Sequence, residues 1–154
     1  MYVNEKTAEV INDLIRINND RIEGYEKAAD KTEPKDVDLQ VIFRQMSAES
    51  RSYVNDLRRY ATGIGEEVGT DDTTLRGKIY RAWMDVKATF TGKDRKALLA
   101  SCEFGEDAAQ KAYDAALSSD AQLSADVRQL IMDQKSSLKK SHDRIKALRD
   151  KQPS

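Results

Sequence analysis

Pro34 is the only proline ahead of Pro153. A chain so short of the strongest helix breaker is free to run in long helices, and the side chains recur accordingly at spacings of three and four. Such spacing lays residues along one stripe of a helix. The first stripe is Thr7, Ile11, Leu14, Asn18, Ile22, Tyr25 and Ala29, and the second is Leu39, Phe43, Met46, Ser50, Tyr53, Leu57 and Tyr60. Leu99, Cys102, Glu106, Ala109, Tyr113 and Ala116 form the third. Val127, Ile131, Gln134, Leu138, His142, Ile145 and Leu148 form the fourth. The Ala, Leu, Lys, Arg and Glu content adds helix propensity. The spacing predicts an all-α chain of four long helices.

Local signals set the boundaries. Asn4 is a good N-cap for a first helix running to about Lys31. The turn from Thr32 to Asp36 is short, so the second helix, about Val37 to Thr62, returns antiparallel to the first. Residues 63–74 are rich in glycine, threonine and acid and break the period. A shorter amphipathic helix follows, with Leu75, Ile79, Ala82, Trp83, Val86 and Phe90 on one face. The third helix covers about Ala97 to Leu117, and Ser124 caps a fourth that ends near Asp150. A loop and a helix between two long helices make a long crossover, which lets helices two and three run parallel. Trp83 is expected to pack that crossover helix onto the bundle. The whole chain, 1–154, reads as a single domain.

Composition excludes several classes. A net charge of −1 lacks the basic excess of a nucleic-acid binder. No run approaches the roughly 18 apolar residues that span a membrane, and Met1–Lys6 lacks the pattern of a secretory signal. One cysteine, Cys102, allows no internal disulfide, so a cytoplasmic setting is expected. Glu106, four residues along the same stripe, disfavours a reactive thiolate there. A single histidine gives no basis for a nucleophilic triad.

Asn18, Ser50, Glu106 and His142 interrupt the apolar stripes, with Glu49 flanking Ser50. Glu106 is the most demanding of them. A carboxylate in a core is costly unless it is protonated, hydrogen-bonded, paired with a cation or bound to a metal.

Asn18-Asn19-Asp20-Arg21-Ile22-Glu23-Gly24-Tyr25, Gly77-Lys78-Ile79-Tyr80-Arg81-Ala82-Trp83, Cys102-Glu103-Phe104-Gly105-Glu106-Asp107 with Tyr113, and His142-Asp143-Arg144-Ile145 together resemble a bacterial family of small ferritin-like four-helix proteins of unknown function. The resemblance covers essentially the whole chain. It implies a ferritin-like bundle of two antiparallel hairpins joined by the crossover, and it implies no established activity. Iron-carboxylate members of the wider superfamily place one Glu on each of two helices and a Glu-x-x-His pair on each of the other two. Glu106, seven residues before Tyr113, matches a lone Glu of that pattern. Asn18 stands seven before Tyr25, where the other lone Glu is expected, and Lys139 stands three before His142. With no second histidine, the full ligand set cannot be assembled.

Two functional readings follow. In the first, the protein is a non-enzymatic bundle that binds a protein partner or a second copy of itself, without cofactor. Asn18, Ser50, Glu106 and His142 then form a buried polar network, and the sequence leaves open whether Glu106 and His142 pair directly as carboxylate and imidazolium. In the second, Glu106 and His142, with Glu49, Asp20, Glu23 or Glu103 contributing if their helices rotate, hold iron or another divalent metal as a reduced ligand set. Neither reading involves nucleic acid or a membrane.

Overall fold

The computed structural model describes residues 5–61, 95–119 and 121–152. Four long helices account for nearly all of them: α1 (Glu5–Lys31), α2 (Val37–Ala61), α3 (Arg95–Ser118) and α4 (Ala125–Asp150). No strand occurs among the described residues. Pro34 opens a single 3-10 turn, Pro34–Asp36, between α1 and α2, since a ring that cannot donate is tolerated only in a first turn. Ser124 caps α4, its Oγ accepting from the Val127 N–H at 3.2 Å. The expected crossover, with its short helix and Trp83, lies outside the described residues. No helix among the described residues is long and apolar enough to cross a membrane.

The side-chain ladders give the direction of each helix. Between α1 and α2, Arg21 reaches Ser50 and Arg44 reaches Glu26, so numbers rise on one helix as they fall on the other. The same inversion joins α3 to α4 through Tyr113–Gln134 and Glu103–Arg149. It joins α1 to α3 through Asn18–Tyr113 and Arg21–Glu106, and α2 to α4 through Tyr53–Gln134 and Glu49–Ser141. Each helix is therefore antiparallel to two neighbours. It follows that α2 and α3 run the same way. Arg95, the first residue of α3, confirms this by binding Asp36 at 3.0 Å and Asp38 at 2.9 and 2.5 Å, beside the start of α2.

The buried stripes are close to those expected. Every member of the third is buried, and so are Thr7, Ile11, Leu14, Asn18, Tyr25 and Ala29 on α1. Their apolar members do not form one continuous core. One cluster gathers Ile11, Leu14, Leu57, Tyr113, Val127 and Ile131 with their neighbours. A second gathers Tyr25, Leu39, Phe43, Leu99, Cys102 and Ile145. Between them lies a layer of buried polar residues, Asn18, Arg21, Ser50 and Glu106.

Two predictions test these end contacts. Ser124→Ala should cost about 1 kcal/mol, read as a lower urea midpoint at unchanged slope. Arg95 holds the Asp38 carboxyl down at about 2, from 3.8. A carboxyl depressed by folding adds stability above its unfolded value and loses it as pH falls through the folded one. Stability should therefore fall between about pH 4 and pH 2 partly through this pair. Asp38→Asn should flatten that limb while costing under about 1 kcal/mol at pH 7, because the pair is exposed.

Candidate functional site

At the middle of the bundle an arginine occupies the place where the sequence left only a lone carboxylate. Arg21 is 0% exposed and Glu106 1%. The guanidinium meets the carboxylate as a fork, Nε to Oε1 at 2.6 Å and Nη2 to Oε2 at 3.1 Å. That bidentate geometry is the strongest arrangement available to the two groups. The remaining donors are also used. Nη1 donates to Ser50 Oγ at 2.8 Å and to the Met46 carbonyl at 3.1 Å. Nη2 also reaches Glu49 Oε1 at 3.2 Å, and the Tyr25 ring lies 5.1 Å below the guanidinium carbon.

From this pair hydrogen bonds run onward in one direction. Ser50 Oγ donates to Asn18 Oδ1 at 2.9 Å. Asn18 Nδ2 donates to the Leu14 carbonyl at 2.9 Å and to the Tyr113 hydroxyl at 2.8 Å. Tyr113 donates to Gln134 Oε1 at 2.7 Å, and Gln134 Nε2 to the Tyr53 carbonyl at 3.2 Å. The chain takes residues from all four helices. Glu49 Oε1 adds a branch, accepting from Ser141 Oγ of α4 at 2.7 Å.

Electrostatics follow from this enclosure. Burial pushes the Glu106 carboxyl up, and the charge and hydrogen bonds of Arg21 pull it back. Burial also works against the Arg21 charge, but Glu106, Tyr25 and Glu49 outweigh it and the guanidinium is held charged. We describe the pair as ions, because a guanidinium does not give up its proton in a protein and a neutral Glu106 would leave it without its closest anion. Burial, and then the Glu106 charge, pushes the Cys102 thiol well up. Cys102 is a packing residue, as its stripe position implied.

Of the residues singled out from sequence, Asn18, Ser50 and Glu106 do share one network, and Glu49 touches its edge. His142 does not belong to it. On α4 the inward stripe runs Gln134, Leu138, Ser141, Ile145. His142, one residue round the helix, faces the flank shared with α3. There Nε2 lies 2.6 Å from Asp107 Oδ1 and 3.9 Å from Glu103 Oε1, and Nδ1 lies 3.0 Å from Asp143 Oδ1. The Glu106–His142 pair left open by the sequence is thus replaced by Arg21–Glu106. Both Glu106 oxygens are engaged by Arg21.

Arg21 is the residue that sequence reading missed. Positions 21 and 22 both fall within reach of the first stripe, and apolar Ile22 was the natural choice. The signal was Glu106 itself, since a buried carboxylate needs a cation and Arg21 lies three residues from Asn18 on the same face.

Truncating one member of a buried pair strands the other, so Glu106→Ala should destabilise by about 3–5 kcal/mol. The double variant Arg21→Met with Glu106→Leu should cost far less than that single change. Urea denaturation of the two side by side checks it. Equal losses would show that the pair is not the dominant contact.

Comparison with known families and curated proteins adds a family but no activity. No curated protein matches the chain. A family model described as a domain of unknown function, DUF2383, matches residues 6–119. The match takes in α1, α2 and α3, and with them Asn18, Arg21, Ser50, Glu106 and Tyr113. Gln134 and His142 of α4 lie beyond it. With most of its length under this match, the chain belongs to the DUF2383 family.

Proposed function

We propose that this protein is a ferritin-like bundle whose central metal position is filled by a cation of its own, the guanidinium of Arg21. On this reading it acts through its surfaces, as a non-enzymatic binding or structural protein. The observation that carries it is the fork of Arg21 on Glu106. In a carboxylate-bridged metal centre each inward carboxylate oxygen is a ligand. Here both are hydrogen-bonded to one side chain, and the Asn18 amide stands where a second carboxylate would be needed. The common direction of α2 and α3 supports a crossover connection of the ferritin-like kind.

The outer surface offers apolar material for a protein partner or a second copy. Val37 and Val41 stand one turn apart on α2 and are 58% and 52% exposed. Phe104 on α3 and Met132 on α4 are exposed as well.

Metal analysis of protein purified without chelator tests the central claim. Iron and manganese content should be the same in the parent and in Glu106→Gln, and neither ion should raise the thermal midpoint of the parent more than that of the variant. Metal that disappears on Glu106→Gln would overturn the reading. Sedimentation over a wide concentration range tests self-association, for which Val41→Lys should weaken any dimer that forms.

A further inference from the structure

At the α3–α4 flank three side chains with metal-ligating atoms face one another, Glu103, Asp107 and His142. The His142 Nδ1 is 3.0 Å from Asp143 Oδ1. A carboxylate can only accept, so this contact places the ring proton on Nδ1. The other ring nitrogen, Nε2, faces α3. It is buried, and it lies 2.6 Å from Asp107 Oδ1 and 3.9 Å from Glu103 Oε1. Nε2 makes no hydrogen bond, although Asp107 lies within ion-pair distance. Glu103 is held from behind, where Arg149 binds its other oxygen, Oε2. Three metal-ligating atoms, one each from Glu103, Asp107 and His142, therefore converge from two helices. Two carboxylates and an imidazole so placed suit a divalent cation.

We propose that Glu103, Asp107 and His142 form a single-ion site for a divalent transition metal of the zinc class. Glu103 and Asp107 are four residues apart on α3 and so share a face. Their Oε1 and Oδ1 and the His142 Nε2 all lie within 4.8 Å of one another. Donors around one zinc ion stand roughly 3–4 Å apart, so side-chain adjustments of about 1 Å complete the site. One imidazole and two carboxylates suit zinc, which takes three protein ligands and a water. Calcium and magnesium prefer oxygen alone. Asp143 supplies the carboxylate behind the imidazole that orients such ligands. Glu103 and His142 are largely buried and hold their positions, whereas Asp107 is half exposed and gives an ion its way in. The site uses no atom of Glu106 and is independent of the central reading.

Calorimetric titration of the chelator-stripped full chain with Zn²⁺ tests this, with Co²⁺ absorption as a spectroscopic check of nitrogen and oxygen coordination. The parent should take up about one equivalent. His142→Ala and Asp107→Asn should each weaken binding at least about tenfold, and Asp143→Ala by about tenfold through the orienting contact alone. Glu106→Gln should bind as the parent does. Asp107→Asn keeps the shape of a half-exposed residue, so it decides the matter even if His142→Ala folds poorly. The proposal fails if the parent shows no saturable uptake. It fails equally if Asp107→Asn binds zinc as tightly as the parent.

Discussion

Everything in this bundle is arranged around one guanidinium that has been taken out of water. Removing a charge from solvent costs several kcal/mol even after relaxation, and Arg21 recovers that cost only because its partners, Glu49 among them, are fixed in place around it. Glu106 comes from α3, Ser50 and the Met46 carbonyl from α2, and Tyr25 from the same helix one turn on. None of these could be displaced by a turn of helix without leaving a donor unsatisfied. The two apolar clusters on either side supply the bulk of the burial, but they would tolerate sliding far better than the polar layer does. Specificity of packing resides in that layer, as is attested for other buried polar groups that set helix alignment.

The comparison with a carboxylate metal centre is chemical rather than pictorial. A metal ion and a guanidinium answer the same need, positive charge facing an inward carboxylate, but they do so differently. A metal keeps exchangeable positions open to substrate or water. A guanidinium has no vacant orbital and exchanges nothing, and its planar fork fixes the carboxylate in one orientation. On the function proposed above, Arg21 at the centre exchanges reactivity for rigidity.

Much of this was legible in the sequence, for a simple reason. Helix periodicity reports burial directly, so the third stripe proved buried throughout, and Asn18 and Ser50 were rightly placed in the core. Two features escaped because they depend on rotations smaller than periodicity resolves. Arg21 and Ile22 are adjacent, and hydropathy favours the isoleucine, yet the structure buries Arg21 completely and Ile22 only in part. Ser141 and His142 are likewise adjacent, and the structure turns the serine inward. In both cases the error is one residue, about 100° around the helix. Such an angle is settled only by what stands opposite, which no single stripe contains.

The split of the core by a charged layer also bears on the order in which the chain assembles. Each hairpin can bury apolar side chains by itself, since those contacts need no partner of particular chemistry. Arg21 cannot leave water until α3 brings Glu106 to it, so docking of the hairpins must precede desolvation of the centre. In that order of events the ion pair is a late contact. Contacts of that kind slow escape from the folded state more than they hasten arrival. The polar layer thus acts as a latch, set last and released first only at the expense of exposing two opposite charges to each other's loss.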